Sequence, residues 1–277
     1  MNALQPRTKA GERGLAAFTA EPRASLLALD FDGVLSPIVP DPERAYAHPE
    51  VVPALRRLAP LVGSVAVITG RPAEVAVRLG GFAGVPELSD LRILGQYGVE
   101  RLDSPDGELR TPPPHPGVDE VRHRLSDLLA GVPAPEGTAV EDKGHALVVH
   151  TRPTADPERA LALLTGPLTE LAAAHGLVAE PGRMVVELRA PGVDKGGALR
   201  TLIAETKART VLYVGDDLGD LPAFAVVEEL RGRSAIDGLL VCSGSDEVTE
   251  VAARADLVVD GVPGVVHLLR TLADRAA

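Results

Sequence analysis

A chain of 277 residues, 45% of them apolar, has material for one large domain or two smaller ones. Its formal net charge of −11 argues against nucleic acid as a partner, because phosphate backbones need a basic footprint. The single cysteine, Cys242, excludes an intrachain disulfide, and no apolar run approaches the ~20 residues of a membrane span. Residues 1–22 read as a frayed tail with a short helix. Their apolar part is broken by Thr19, Glu21 and Pro22, which is not the pattern of a signal peptide. The expectation is a cytoplasmic monomer, with Cys242 a small buried hydrophobe.

Apolar runs then alternate with helical patterns. LLALDFD predicts a strand, PEVVPALRRLAPL a helix and SVAVITG a second strand. PAEVAVRLG has Pro72 at the start and Gly80 at the end of a helix, and LRILGQYGVE reads as a third strand. Strand, helix, strand, helix, strand argues for a parallel sheet covered by helices. The rhythm then changes. RLDSPDGELR reads as a hairpin turning at Pro105-Asp106-Gly107, and TPPPHPG as a stiff connector. VDEVRHRLSDLLAG is a helix and TAVEDKGHALVVHTR a long extended stretch. DPERALALLTGPLTELAAAHG is helical, with a kink or break expected at Gly166-Pro167. LVAEPGRMVVELRA looks like two strands around a Pro181-Gly182 turn.

From Asp194 the first rhythm returns: helix DKGGALRTLIAET, strand TVLYVGDD, helix LPAFAVVEELRG, strands GLLVCSG and ADLVVDG, and a closing helix, VPGVVHLLRTLADRA. The organisation expected is an α/β core over 23–104 and 190–277, interrupted by an α+β unit at about 105–189.

In an open parallel sheet, ligands bind outside the carboxyl ends of the strands. The first strand ends in Asp30-Phe31-Asp32-Gly33. The second ends in Thr69-Gly70-Arg71, and TVLYV ends in Gly215-Asp216-Asp217-Leu218-Gly219-Asp220. Lys195 opens a helix. Clustered acids cannot all stay ionised alone, and a hard divalent cation such as Mg²⁺ relieves them with oxygen ligands. A hydroxyl, a lysine and backbone N–H groups are anion ligands, so the site wants a metal and a phosphate together. Asp30 and Asp32 are two residues apart and share a face of extended backbone. One can attack phosphorus while the other protonates the leaving oxygen. Each motif alone has an ordinary explanation as a turn, a helix cap or a solvated lysine. All four at element ends do not.

LDFDGVL, ITGR, DKGGAL and VGDDLGD resemble the four signature motifs of the haloacid dehalogenase superfamily of phosphatases. The resemblance implies a Rossmann-like core with an inserted α+β cap of the larger type. It implies Asp30 as nucleophile and Asp32 as general acid/base. It implies Thr69, Gly70 and Lys195 on the phosphoryl group, and Mg²⁺ on Asp30, Asp32 (through its main-chain carbonyl), Asp216 and Asp217.

A finer resemblance is to trehalose-6-phosphate phosphatases. The segment GQYGVE is similar to the family's G-x-x-G-x-E, giving Glu100. EDKGHALVVHTR resembles its Glu-x-Lys…His-x-Arg stretch, giving Glu141, Lys143, His150 and Arg152. GRMVVELRA resembles its Glu-x-Arg-Pro stretch, giving Glu187 and Arg189. By period two, Glu141 and Lys143 share one face, and Val185, Glu187 and Arg189 another, opposite Met184, Val186 and Leu188. Carboxylates and an ammonium are good partners for sugar hydroxyls. The substrate-binding set that the resemblance implies is Arg71, Glu100, Glu141, Lys143, Glu187 and Arg189. The function this implies is Mg²⁺-dependent hydrolysis of trehalose 6-phosphate, a small sugar phosphate, through an aspartyl-phosphate. The alternatives are a phosphatase for sucrose 6-phosphate or a mannosyl phosphate, which differs only at the cap, and a silent sugar-phosphate sensor. The intact Asp30/Asp32 pair speaks against the sensor.

Overall fold

The computed structural model describes residues 4–39, 41–132, 134–182, 184–244 and 249–277. The first three residues of the expected tail, and Arg183 in the expected turn, lie outside them. In chain order the elements are α1 (Lys9–Ala20), β1 (Ser25–Leu29), α2 (Val51–Leu58), β2 (Ser64–Ile68), α3 (Ala73–Gly80), β3 (Arg92–Gly95), β4 (Glu100–Leu102), α4 (Pro116–Gly131), β5 (Ala139–Asp142), β6 (Ala146–His150), α5 (Pro157–Ala174), β7 (Val178–Gly182), β8 (Val185–Arg189), α6 (Lys195–Thr206), β9 (Thr210–Gly215), α7 (Leu221–Gly232), β10 (Asp237–Gly244), α8 (Thr249–Arg254), β11 (Leu257–Asp260) and α9 (Gly261–Ala276). No helix among the described residues is long and apolar enough to cross a membrane.

The chain forms two compact units. One runs to Thr111 and resumes at Asp194; the other spans Pro112–Val193. The inserted unit thus begins at 112, where the sequence reading put it at 105. The reason is local: Arg101 and Arg110 exchange backbone hydrogen bonds at 2.9 Å, which ties the intervening turn to the first unit.

Among the described residues the first unit holds a seven-stranded sheet in the order β11-β10-β9-β1-β2-β3-β4, parallel except for β4. Its central strands are aliphatic runs buried on both faces, as a sheet covered by helices on each side requires. Period two sends Leu27, Leu29, Val67, Leu212, Val214 and Val241 to one side, against Phe18, Leu55, Leu58, Leu269 and Leu272. Leu26, Ala28, Ile68, Val211, Tyr213 and Leu240 go to the other, against Leu199, Leu202, Phe224 and Val227. The chain leaves β1 towards β2 on one side and returns to β9 on the other. That reversal is where a crevice opens at the carboxyl ends.

The second unit is a four-stranded antiparallel sheet, β5-β6-β8-β7. Leu147, Val149, Val186 and Leu188 pack on Val118, Val121 and Leu125 of α4 and Leu164 and Leu168 of α5.

Several sequence expectations are corrected. LRILGQYGVE is not one strand: β3 stops at Gly95 and β4 returns antiparallel, with Ile93 opposite Leu102. Gln96, Tyr97 and Gly98 make the reversal, all at positive φ. TAVEDKGHALVVHTR is a hairpin of β5 and β6, not a continuous stretch. Gly166-Pro167 does not break α5. The ring of a proline clashes with the Cβ of the preceding residue in helical conformation, and Gly166 has none. The strands of LVAEPGRMVVELRA meet later than Pro181-Gly182, which both pair within β7. Met184 stands at φ 58, outside β8.

Residues 4–20 are docked, not frayed. Gly11, Gly14, Leu15 and Phe18 form the buried face of α1, and Arg7 donates to the carbonyl of Ala255 at 2.8 Å. Gly14 permits close approach, since a Cβ there would lie 2.2 Å from the Gly238 carbonyl oxygen. Gly14→Ala should therefore lower unfolding free energy by about 1–3 kcal/mol, the usual scale of overpacking. Gly131→Ala, with open space around it, should change it by less than about 1 kcal/mol. Urea denaturation of both variants checks the contrast, and equal effects would remove the close-approach argument.

Candidate active site

Asp30 follows β1 directly, is 4% exposed, and has its backbone N–H on the Val214 carbonyl of β9. Phe31 turns the opposite way and is fully buried, edge-on to Phe82. That anchor fixes the alternation, so Asp30 and Asp32 leave the same side of the chain. Gly33 then takes φ 70, and a Cβ on it would lie 2.0 Å from Asp216 Oδ2. Only glycine satisfies both conditions. The Ser243 hydroxyl donates to the Gly33 carbonyl at 2.6 Å and holds the turn down.

Lys195 is the first residue of α6, whose start is capped by the Asp194 carboxylate accepting from the Gly197 N–H at 2.8 Å. Its Nζ lies 2.8 Å from Asp30 Oδ2 and 2.8 Å from Asp220 Oδ1. Burial opposes its charge, but Asp220 and Asp30 outweigh burial and hold the ammonium well above its ordinary pKa. Asp220 is fully buried. Its Oδ1 also accepts from the Tyr213 hydroxyl at 2.7 Å, and its Oδ2 accepts from the backbone N–H groups of Asp216 at 2.9 Å and Asp217 at 3.2 Å. Those bonds occupy the carboxylate's acceptor capacity.

Thr69 and Arg71 follow β2, beside β1, with Leu29 in register with Val67. The Thr69 hydroxyl oxygen accepts from the Arg71 N–H at 3.1 Å, which leaves its own proton to donate. The reversal after β3 clamps this segment: Tyr97 N–H donates to the Thr69 carbonyl at 2.9 Å and Gln96 N–H to the Arg71 carbonyl at 2.8 Å. Gly70 faces the Tyr97 ring, whose oxygen would lie 2.7 Å from a Cβ there. Two non-glycine residues at positive φ are strained, by roughly 1–2 kcal/mol each. Glu100 offsets the strain from inside the core. One of its oxygens accepts from Gln96 Nε2 at 2.5 Å and the other from the Ala73 N–H at 2.7 Å. Glu100, read from the sequence as a substrate ligand, is buried and supports the loop through these two bonds.

The Asp32 carboxylate is not in the acidic cluster. Arg71 binds it through both Nε and Nη2 at 2.7 Å, and also donates to the Pro42 carbonyl at 2.9 Å. The cluster comprises Asp30, Asp216, Asp217 and Asp220, with one ligand oxygen from each within 4.8 Å of the others. Four carboxylates against the single contacting ammonium of Lys195 leave negative charge over, and all the donors are oxygen. That set suits a hard divalent cation. Asp220 is already saturated, so Asp30, Asp216 and Asp217 are the residues able to hold one. Without it, Asp30, Asp216 and Asp217 are all shifted upward from the ordinary carboxylate range, burial being the largest cause in each. Burial, then the neighbouring Asp220 and Asp217, pushes Asp216 up to about 8. Burial is also the main cause that raises Asp30, against the opposing pull of Lys195.

In the second unit, cross-strand register places Glu141, Val148, Glu187 and Glu180 in one row on the sheet face opposite α4 and α5. Glu187 is 6% exposed, with Lys143 Nζ at 3.2 Å and Arg189 Nη1 at 3.3 Å. His150 Nε2 lies 2.8 Å from Glu141 Oε2. The structure therefore gathers Lys143, Glu187 and Arg189 into one cluster and gives Glu141 a histidine that fixes it. Sequence reasoning missed Tyr213, Asp220 and Ser243. The signals were present: a lone tyrosine in an aliphatic strand must place its hydroxyl, and Asp220 is the third acid of GDDLGD.

The trehalose-phosphatase family model matches residues 28–257. A probable trehalose-phosphate phosphatase of Sinorhizobium fredii is 30% identical over 230 residues, 81% of this chain and 82% of that protein. Trehalose-6-phosphate phosphatase of Escherichia coli is 30% identical over 208 residues, 74% of each. Among solved structures, the C-terminal domain of C. albicans trehalose-6-phosphate phosphatase aligns with a TM-score of 0.77 over 99% of each chain at 20% identity, a likeness of fold.

The Asp216 shift has a signed consequence. Its folded pKa of about 8 stands above the ordinary 3.8. Its contribution to stability is therefore complete below the lower value and lost as pH rises through the upper. Metal-free protein should show a falling Tm between about pH 5 and 8.5. A saturating divalent cation should flatten that fall and raise Tm most at the alkaline end. Thermal unfolding across this range with EDTA and with added cation measures both. A Tm in EDTA that rises with pH would contradict the assignment.

Proposed function

The chain belongs to the trehalose-phosphatase family, and on that premise we propose that it hydrolyses trehalose 6-phosphate to trehalose and phosphate through a phospho-aspartate on Asp30. The observation that carries the mechanism is the Asp30 carboxylate, buried at the end of the central strand and paired with Lys195 at 2.8 Å, with Asp32 two residues on. The Asp30 oxygen attacks phosphorus in line and the bond from phosphorus to the sugar oxygen breaks. Asp32, as the acid, gives that oxygen its proton. Lys195 and the Thr69 hydroxyl stabilise charge on the phosphoryl oxygens. Asp32, now a carboxylate, takes a proton from water as the water attacks phosphorus. The bond to Asp30 then breaks and phosphate leaves.

The cation proposed is Mg²⁺, on Asp30, Asp216, Asp217 and the main-chain carbonyl of Asp32, because oxygen donors favour a hard ion. When bound it supplies charge neutralisation at the phosphoryl oxygens. Arg71 positions Asp32. Sugar selection is proposed for Glu141, Lys143, Glu187 and Arg189, supported by their gathering on the polar face of their own sheet. The expected setting is the cytoplasm.

Asp30→Asn should lower turnover by on the order of 10³-fold or more, since an amide does not attack phosphorus. Far-UV circular dichroism should remain that of the parent. Phosphate release by a folded Asp30→Asn protein near the parent rate would end the covalent mechanism.

Glu141→Ala, Lys143→Ala and Glu187→Ala should each lose about tenfold to a hundredfold in kcat/KM for trehalose 6-phosphate. A hydrogen bond to a charged group is worth roughly 1.5–3 kcal/mol. Hydrolysis of p-nitrophenyl phosphate, which has no sugar to hold, should change much less. A parallel loss on both substrates would make these residues supports of the fold and not readers of the sugar.

A further inference from the structure

Tyr213 is fully buried in β9, in register with Ala28 of β1 and Leu240 of β10, and its ring stands edge-on to Phe224 of α7 at 5.9 Å. The cluster around it is otherwise apolar. A phenylalanine would keep the ring and its contacts. The hydroxyl adds a polar group to that core which has to find a partner, so the partner it finds is informative.

That partner is Asp220 Oδ1, at 2.7 Å. Asp220 is not short of donors without it. The Lys195 ammonium shares the same oxygen at 2.8 Å, and the amides of Asp216 and Asp217 hold the other oxygen. Tyr213 therefore fills the second lone pair of an oxygen already bonded to the ammonium. Burial, then the charge of Asp220, holds the phenol proton well above its ordinary pKa, so the group acts there as a donor only.

Lys195 stands between two acids, with Asp30 Oδ2 at 2.8 Å as its other contact. The two contacts are alike only while both acids are carboxylates. When an Asp30 oxygen bonds to phosphorus, the charge of Asp30 goes into that bond, and Asp220 becomes the one full carboxylate touching the ammonium. An Oδ1 with an open lone pair would then attract a second N–H of Lys195 and turn it away from the phosphoryl oxygens. Building on the phospho-aspartate mechanism above, we propose that Tyr213 is a positioning residue for phosphoryl transfer. Its hydroxyl limits Asp220 to one bond with Lys195 and keeps the ammonium forward, on the group that Asp30 receives. The effect grows as the transition state is approached, so it is felt in kcat and not in KM.

The test sets Tyr213→Phe beside Phe224→Leu, which loosens the packing of the same ring and leaves the hydroxyl in place. With Mg²⁺ saturating, Tyr213→Phe should lower kcat by about tenfold, alike on trehalose 6-phosphate and p-nitrophenyl phosphate, with KM within about twofold of the parent. Orthovanadate takes the five-coordinate geometry of phosphorus in transfer. Its Kd should weaken by about the same factor in Tyr213→Phe, while the Kd of inorganic phosphate moves by less than about twofold. Phe224→Leu should lower Tm and leave both kcat and the vanadate Kd within about twofold of the parent. A parent active on p-nitrophenyl phosphate but not on trehalose 6-phosphate ends the substrate assignment and leaves this test standing. The role of Tyr213 is overturned if Tyr213→Phe keeps the parent's kcat and vanadate affinity, if its loss appears in KM, or if Phe224→Leu reproduces that loss.

Discussion

The Lys195 ammonium sets the terms for the rest of the first unit. It enters at the start of a helix, is 3% exposed, and contacts an acid from β1 and an acid from the loop after β9. An unpaired buried charge is costly, and so is an unpaired buried carboxylate. Asp30, Lys195 and Asp220 therefore have to be placed together. That requirement joins the end of the central strand to a segment on the far side of the insertion. Asp220 extends the constraint. Its bonds to the amides of Asp216 and Asp217 set the course of the acidic loop, and its bond to Tyr213 ties that loop to the strand beneath.

The Thr69 side of the crevice depends on a different device. The Thr69-Gly70-Arg71 segment has little holding it from its own strand. It is clamped by backbone donors from a strained reversal, and that reversal is kept in place by a carboxylate inside the core. Strain at a functional loop persists only where its surroundings over-determine it, and Glu100 is how that is done here.

Legibility from sequence follows the same physics. The aliphatic strands and the acids at their ends were readable because burial on both faces and charge at a strand terminus leave compositional traces. Asp30, Asp32, Thr69, Lys195, Asp216 and Asp217 stand at the element ends where the sequence put them. The supporting bonds of Glu100 were hidden because a glutamate near a site and a glutamate under it look alike in one dimension; its two oxygens, accepting from Gln96 and Ala73, show them. The reversal at Gln96-Tyr97 was unreadable because neither residue advertises positive φ as glycine does. Gly166-Pro167 was read as a break because proline was weighed without the missing Cβ beside it. In the second unit, alternation alone put Glu187 and Arg189 on one face and Val186 and Leu188 on the other. The tie from His150 to Glu141 needed the hairpin register.

The double bond from Arg71 to Asp32 has a consequence for timing. A guanidinium that grips both oxygens of a carboxyl group requires the ionised form, because a carboxylic acid has committed one oxygen to its own proton. On the proposed role of Asp32 as the acid, at least one of the two bonds to Arg71 would have to give way before a leaving group is protonated. The grip that aims the side chain and the transfer of its proton would then be successive states of one pair, and an arriving anion is the species able to compete for the arginine.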